Sequence, residues 1–306
     1  TKEEITPFIE IQLELDGSSI EFKPALHNAS GGSDKPSMHA MIDYWCMGFF
    51  NVCKLVKRLD RADGDFLKEV METEQVRFFV HQIQAHVRAN QALCEEFKDS
   101  FQAYKAVWTS SIDDHLHEFL APPEEDPSKP KAEEEEVVEK IEGPLAPKYE
   151  PPLDAFDKEI HKFVKYASNI QAISSSAARG WLKIDARPVK QALATWVNKW
   201  QFRYTSYLQS SIEQTLTELK DFMVAIKKGL SQEVEPDDAE ALLRAMTCIR
   251  DVRLRADLVT GMFEPLRAKV QLLKKYGVII SQDFIEMMDD APHGWNATTR
   301  ITYNSR

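Results

Sequence analysis

With eight histidines and 49 aspartate and glutamate side chains, this 306-residue chain has ample material for acid–base or metal chemistry, so spacing decides. His115 and His117 stand two apart in a helical stretch and point away from each other, whereas a metal pair on a helix needs i, i+4. Both read as surface residues. Asp60-Arg-Ala-Asp-Gly-Asp65 resembles a calcium loop, but placing Gly64 at the loop's sixth position puts Leu59 and Arg61 where the first ligands belong, so a polar turn is the better reading. Neither Gly-x-Gly-x-x-Gly nor Gly-x-x-x-x-Gly-Lys occurs, and no serine sits in a nucleophile-elbow context. Cys46, Cys53, Cys94 and Cys248 are scattered without a Cys-x-x-Cys, which suits a reducing compartment, with Cys46 and Cys53 expected to pack in a core. No catalytic residue, metal site or cofactor site is expected, and the chain reads as a non-enzyme.

One interaction motif stands out. Ile83-Gln84-Ala-His-Val-Arg88 is the first half of an IQ motif, the helical signal read by calmodulin-like light chains. Its logic is an apolar anchor, an amide and a cation presented by a helix to an acidic groove. The second half fails, with Ala89 in place of glycine and Leu93 in place of a basic residue. Ile83, Gln84 and Arg88 are therefore the candidate light-chain contact. The competing expectation is that Ile83 packs inward beside Phe79 and Val87, leaving Gln84 and Arg88 solvated.

The elements that must position these residues are mostly helical. Only 11 glycines and 28% charged residues favour helices over a nucleotide-binding α/β fold. A net charge of −11 argues against a nucleic-acid or anionic-membrane surface. No run of about 18 apolar residues exists to span a bilayer. Residue 1 is Thr, with no signal-peptide pattern after it, and an excised fragment is expected.

Along the chain, Ile9, Ile11, Leu13 and Leu15 alternate up to Asp16-Gly17, and Ile20 and Phe22 resume, predicting a β-hairpin followed by a loop within 1–37. The period then becomes helical through 38–121. Ile42, Trp45, Phe49, Cys53 and Val56 form one stripe; Val76, Phe79, Ile83, Val87, Cys94, Phe97, Phe101, Tyr104, Trp108 and Ile112 form another. If 74–120 were one helix it would reach about 70 Å, against about 50 Å for a compact globule of this size. Residues 122–152 hold eight of the fifteen prolines and ten acids against four lysines, predicting a disordered acidic linker. Helix returns over 153–290: 153–178 up to Gly180, a long helix capped by Asp185 and running to Gly229, and another from Asp237 to Tyr276 with Pro265 as a bend point. A short helix at 282–289 precedes a final segment, 291–306. The fold expected is all-α, an elongated bundle of long antiparallel helices with a small N-terminal β-hairpin. The six tryptophans should be core, with Trp181 the exception. No repeat of fixed period appears, which weighs against a free-standing spectrin-like scaffold or tethering protein, the alternative reading.

At 180–208 the residues Gly-Trp-Leu-Lys-Ile-Asp-Ala-Arg-Pro-Val-Lys-Gln-Ala-Leu and onward resemble the tail of axonemal dynein heavy chains. Met262-Phe-Glu-Pro-Leu266 fits the same pattern, and 291–300 resembles the start of the linker that follows the tail. The likeness is strongest over 180–300, has an outer-arm flavour, and offers no counterpart for 122–152. It implies a parent that is an ATP-driven, minus-end-directed microtubule motor of cilia or flagella, with ATP and Mg bound outside these residues. This stretch would be a non-catalytic tail segment in the cytoplasm and axoneme. Its partners would be other heavy, intermediate and light chains, with microtubules touched through other parts of the parent.

Overall fold

The computed structural model describes residues 9–27, 37–56, 66–122, 143–231 and 238–304. The Asp60–Asp65 turn and the acidic run 123–142 lie outside them.

The alternation near the N-terminus does fold as a hairpin, β1 (Ile9–Asp16) and β2 (Ser19–Lys23), with Leu13 opposite Phe22. Gly17 at φ 57° begins the two-residue loop, a conformation that side chains resist and glycine accepts. This hairpin is half of a larger sheet. β3 (Ser176–Arg179) and β4 (Leu182–Asp185) form a second hairpin, and β4 runs parallel to β1 with Ile9 opposite Leu182 and Ile11 opposite Ile184. The strand order is β2-β1-β4-β3. The expectation of an all-α bundle with an isolated hairpin is therefore corrected: helix predominates, but the chain also holds a four-stranded mixed sheet. Helix was expected to run to Ala178. Instead the helix ends at Ala172, β3 begins at Ser176, and Leu182 and Ile184 alternate into the core.

The helices are α1 (Met38–Asn51), α2 (Leu67–Glu72), α3 (Glu74–Asp99), α4 (Lys105–Thr109), α5 (Ile112–Leu120), α6 (Leu153–Ala172), α7 (Arg187–Leu230), α8 (Ala239–Lys275) and α9 (Gln282–Asn304). A 3₁₀ turn, Val52–Leu55, prolongs α1. The 74–120 stretch is three helices rather than one rod. The Ser100 hydroxyl donates to the Phe97 carbonyl, and the Ser100 and Phe101 N–H groups fall back to i−3 carbonyls. Ser110 then adopts an extended ψ of 144°. Serine competes with helical hydrogen bonding in this way. At the far end, α8 closes as the spacing requires: Gly277 at φ 73° lets its own N–H reach Lys274 and the Val278 N–H reach Leu273. α9 continues through Pro292 where a short helix and a separate segment were expected.

The chain divides into two compact units, 1–111 with 163–199, and 112–162 with 200–306. In the first, Ile11, Leu13, Ile20, Phe22, Leu182 and Ile184 line the buried sheet face, and Val87, Cys94 and Phe97 of α3 are buried with them. Trp108 anchors its indole N–H on the Ser18 carbonyl, and Gln91 donates to the Leu26 carbonyl, so the loop ends of the first hairpin are held by buried polar bonds. Burial pushes the Cys94 thiol up to about 11. In the second unit, Tyr204, Leu208, Ile212, Leu216 and Leu219 of α7 are all buried, as their spacing predicts.

Candidate functional site

The expected light-chain contact sits on α3. Ile83 is 43% exposed, Gln84 is half-buried and Arg88 is exposed, its Nε donating to the Gln84 carbonyl oxygen at 3.3 Å. Gln84 and Arg88 thus share a face. Of the packing stripe that should have taken Ile83 inward, Val87 is buried, but Phe79 is 59% exposed. Ile83 therefore does not pack inward as that alternative has it, although Val76 and Val80 in the same turns are half-buried.

His115 is also relocated. It is half-buried, its Nδ1 2.8 Å from the Tyr204 hydroxyl and its ring edge-on to Trp200. A buried phenol needs a partner, and His115 supplies one; burial in turn pushes the Tyr204 hydroxyl well above its usual range. His117 is exposed, as expected. Among the described residues no three His, Cys, Asp or Glu side chains group so as to hold a metal ion. No described helix is long and apolar enough to cross a membrane.

The densest polar construction in the first unit is the junction from β3 to α7. Gly180, at φ 60°, makes the tight β3–β4 loop, and a Cβ there would lie 1.7 Å from the Asn90 side-chain oxygen. Leu182 and Ile184 carry β4 into the core. Asp185, 5% exposed, accepts the Arg187 backbone N–H at 3.0 Å and thereby caps α7. Its carboxylate also takes the Arg187 guanidinium through Nε and Nη2 at 2.9 and 2.7 Å. Pro188 occupies the first turn, where no N–H is needed. Lys190, 6% exposed, turns its ammonium onto the Gln171 and Ile173 carbonyls at 3.0 and 2.6 Å and the Ser175 hydroxyl at 3.1 Å. A cation there meets the negative end of α6 and its orphan carbonyls. Sequence reasoning found the Asp185 cap but missed the lysine clamp. The signal was present: a lysine sits at an apolar stripe position one residue after Val189.

The Arg187 hydrogen bonds hold the Asp185 carboxyl below the usual carboxylate range. A depressed folded pKa contributes stability that is complete above the unfolded value of about 3.9 and vanishes as pH falls through the folded one. Arg187 is 70% exposed, so the cap matters more than the ion pair. Asp185→Ala should therefore cost about 1–2 kcal/mol at neutral pH, with the difference from the parent narrowing below about pH 3. Chemical denaturation at pH 7 and pH 3 checks this; an equal cost at both would mean the carboxylate charge is irrelevant.

In the second unit, residues 143–152, expected to be part of a disordered linker, instead strap the helices. Leu145 is 5% exposed, the Pro144 carbonyl accepts from Arg255 Nε at 3.2 Å, and Lys148 pairs with Glu218. Glu150 accepts from Ser211 and pairs with Lys269. Prolines suit such an extended strap because they forgo a donor and lose little entropy. The strap borders a groove of about 530 Å³ in which Lys148 pairs with Glu218 and Lys269 with Glu150.

These structural roles fall on the block that resembles a dynein tail, and comparison with known proteins bears on that likeness directly. The flagellar outer-arm dynein beta chain of Chlamydomonas reinhardtii is 30% identical over 333 aligned positions, taking in 100% of this chain. The chain is homologous to axonemal dynein heavy chains. Human dynein axonemal heavy chain 17 is 26% identical over 98% of the chain, and the ciliary dynein beta chain of Tripneustes gratilla 24% over 96%. No protein-family model matches. The chain spans 6–7% of the length of these dynein heavy chains. The homology covers the N-terminal half as well as 180–300, a wider reach than the motifs alone carried.

Proposed function

We propose that this chain is a non-catalytic tail segment of an axonemal dynein heavy chain, lying just before the linker, that transmits force and carries other dynein subunits. The parent would be an ATP-driven, minus-end-directed motor of cilia or flagella, with its ATP, Mg and microtubule contacts elsewhere. The reading is carried by one observation. The most motif-like residues, Gly180, Asp185, Pro188 and Lys190, all serve to lock a hairpin to the start of a 44-residue helix. Such a junction stiffens a structural element and positions no reacting atom. Partners in this reading are heavy, intermediate and light chains, the last through Ile83, Gln84 and Arg88; the exposure of Ile83 and Arg88 on α3 supports that contact. Residues 122–152 would join two helical parts, 38–121 and 153–290, with 143–152 as the anchored end.

The purified chain is expected neither to bind a fluorescent ATP analogue saturably at micromolar concentration nor to pellet with microtubules. Either activity would overturn the tail-segment reading. A free-standing helical scaffold remains the alternative. Cross-linking of purified axonemal dynein separates the two, because a tail segment cross-links to intermediate or light chains of the same complex.

A further inference from the structure

α8 is apolar on two sides. At about 100° per residue, Val252, Arg255 and Val259 share one side of the helix and are buried within the second unit. Across the helix from them, Leu243, Met246, Arg250, Arg253 and Leu254 fall within roughly 100° of the circumference and line a shallow outward trough. Leu243 is 66% exposed, Met246 60% and the neighbouring Leu242 54%. A helix that folds against one neighbour needs one apolar stripe; a second stripe is the composition of a second contact. α1 is open as well. Tyr44, Phe49 and Leu55 are exposed, which overturns the expectation that Trp45, Phe49 and Val56 face a core, and Trp45, not Trp181, is the tryptophan left outside. Residues 38–56, however, hold one acid and one lysine, so charge singles out no partner for α1.

On α8 it does. From Leu242 to Leu254 the helix carries Arg244, Arg250 and Arg253 against a single acid, Asp251, within a chain of net charge −11. That acid is shared, lying 3.7 Å from Arg250 and 3.7 Å from the buried Arg255. Arg250, its side chain 67% exposed, and the exposed Arg253 follow Leu243 and Met246 along the same face. A guanidinium fork takes a carboxylate through two hydrogen bonds, which makes arginine the fitting cation at such a contact. An apolar patch that runs into cations is complementary to an amphipathic helix with acids at one end of its apolar stripe. A second copy would bring the same arginines and, on this face, no acid before Asp257. An anionic bilayer would have to overcome the chain's overall negative charge.

We infer that the outward face of α8 docks an acidic amphipathic helix of another protein, with Leu243 and Met246 as apolar anchors and Arg250 and Arg253 as the carboxylate readers. This contact lies on a different element from the one on α3 and stands or falls independently of the dynein reading.

Two labelled helical peptides serve as probes, alike in a leucine stripe at i, i+3, i+4 and i+7 and differing in whether glutamates or lysines flank one end of it. Titrated with the 306-residue chain and followed by fluorescence anisotropy, the glutamate peptide is expected to bind saturably and at least tenfold more tightly than the lysine peptide. Arg250→Glu with Arg253→Glu should reverse that preference. Leu243→Ser with Met246→Ser should weaken the glutamate peptide more than tenfold, and raising salt from 50 to 200 mM should weaken it several-fold. Absence of saturable binding overturns the inference. Equal binding of the two peptides does so too, being apolar adhesion without charge recognition. A dimer that Leu243→Ser disperses in sedimentation gives the face to a second copy, and binding confined to phosphatidylserine vesicles gives it to a bilayer; either result overturns the inference. Circular dichroism checks the fold, and should the double arginine variant lose helicity, Arg253→Glu alone, altering an exposed side chain, carries the same test.

Discussion

Gly180→Ala is expected to destabilise the chain by roughly 2–4 kcal/mol, lowering the melting temperature by on the order of 10 °C. Two separate costs add. A left-handed φ of 60° disfavours any Cβ by about 1–2 kcal/mol. The new methyl group would also lie 1.7 Å from the Asn90 oxygen, far inside contact distance. Asn90 cannot swing away freely: it is 8% exposed and its amide donates to the His86 carbonyl at 2.9 Å. A double-mutant cycle separates the terms. In an Asn90→Ala background the clash disappears and the backbone cost remains, so Gly180→Ala should there cost about half as much. A penalty under about 0.5 kcal/mol in the parent background would show that the loop conformation has been misassigned.

Lys190→Met should cost about 2–3 kcal/mol, because it leaves behind acceptors that cannot follow the ammonium out of the protein. Replacing a buried ion pair by two hydrophobes is often neutral, since both charges leave together. Here the acceptors are the Gln171 and Ile173 main-chain carbonyls, which stay at the exposed to half-buried end of α6 after the ammonium is gone. A carbonyl left without a partner costs about 1–3 kcal/mol where water is excluded and less where, as at exposed Gln171, water can replace the ammonium. Lys190→Gln, retaining donors on a shorter arm, should fall between. Urea unfolding measures the cost, and hydrogen exchange localises it, with protection lost first in the last turn of α6 and the first of α7. A Lys190→Met protein within 1 kcal/mol of the parent would mean that the clamp contributes nothing net.

Local pattern determined most of this protein. α7 was legible to its ends because Asp185, the apolar stripe from Val189 to Ile226 and the glycine near 229 agree in sequence over 44 residues. The first hairpin was legible from alternation around Asp16-Gly17. What lay beyond reach was decided by partners far along the chain. Ser176–Asp185 carries only four buried-face signals, and its sheet partner β1 lies some 170 positions earlier, so no local window distinguishes a strand from the frayed end of a helix. Periodicity likewise names the apolar face of α1 and α3 without saying whether anything covers it. Tyr44, Phe49, Phe79 and Ile83 share the spacing of Leu193 and Tyr204, yet the former are exposed and the latter wholly buried. Amphipathicity records that a face must be covered at some point; which neighbour covers it, and whether that neighbour is in the same chain, is settled by tertiary contact alone. The same limit hid the Lys190 clamp, because a lysine at a core position is intelligible once the carbonyls at the end of α6 are seen beside it.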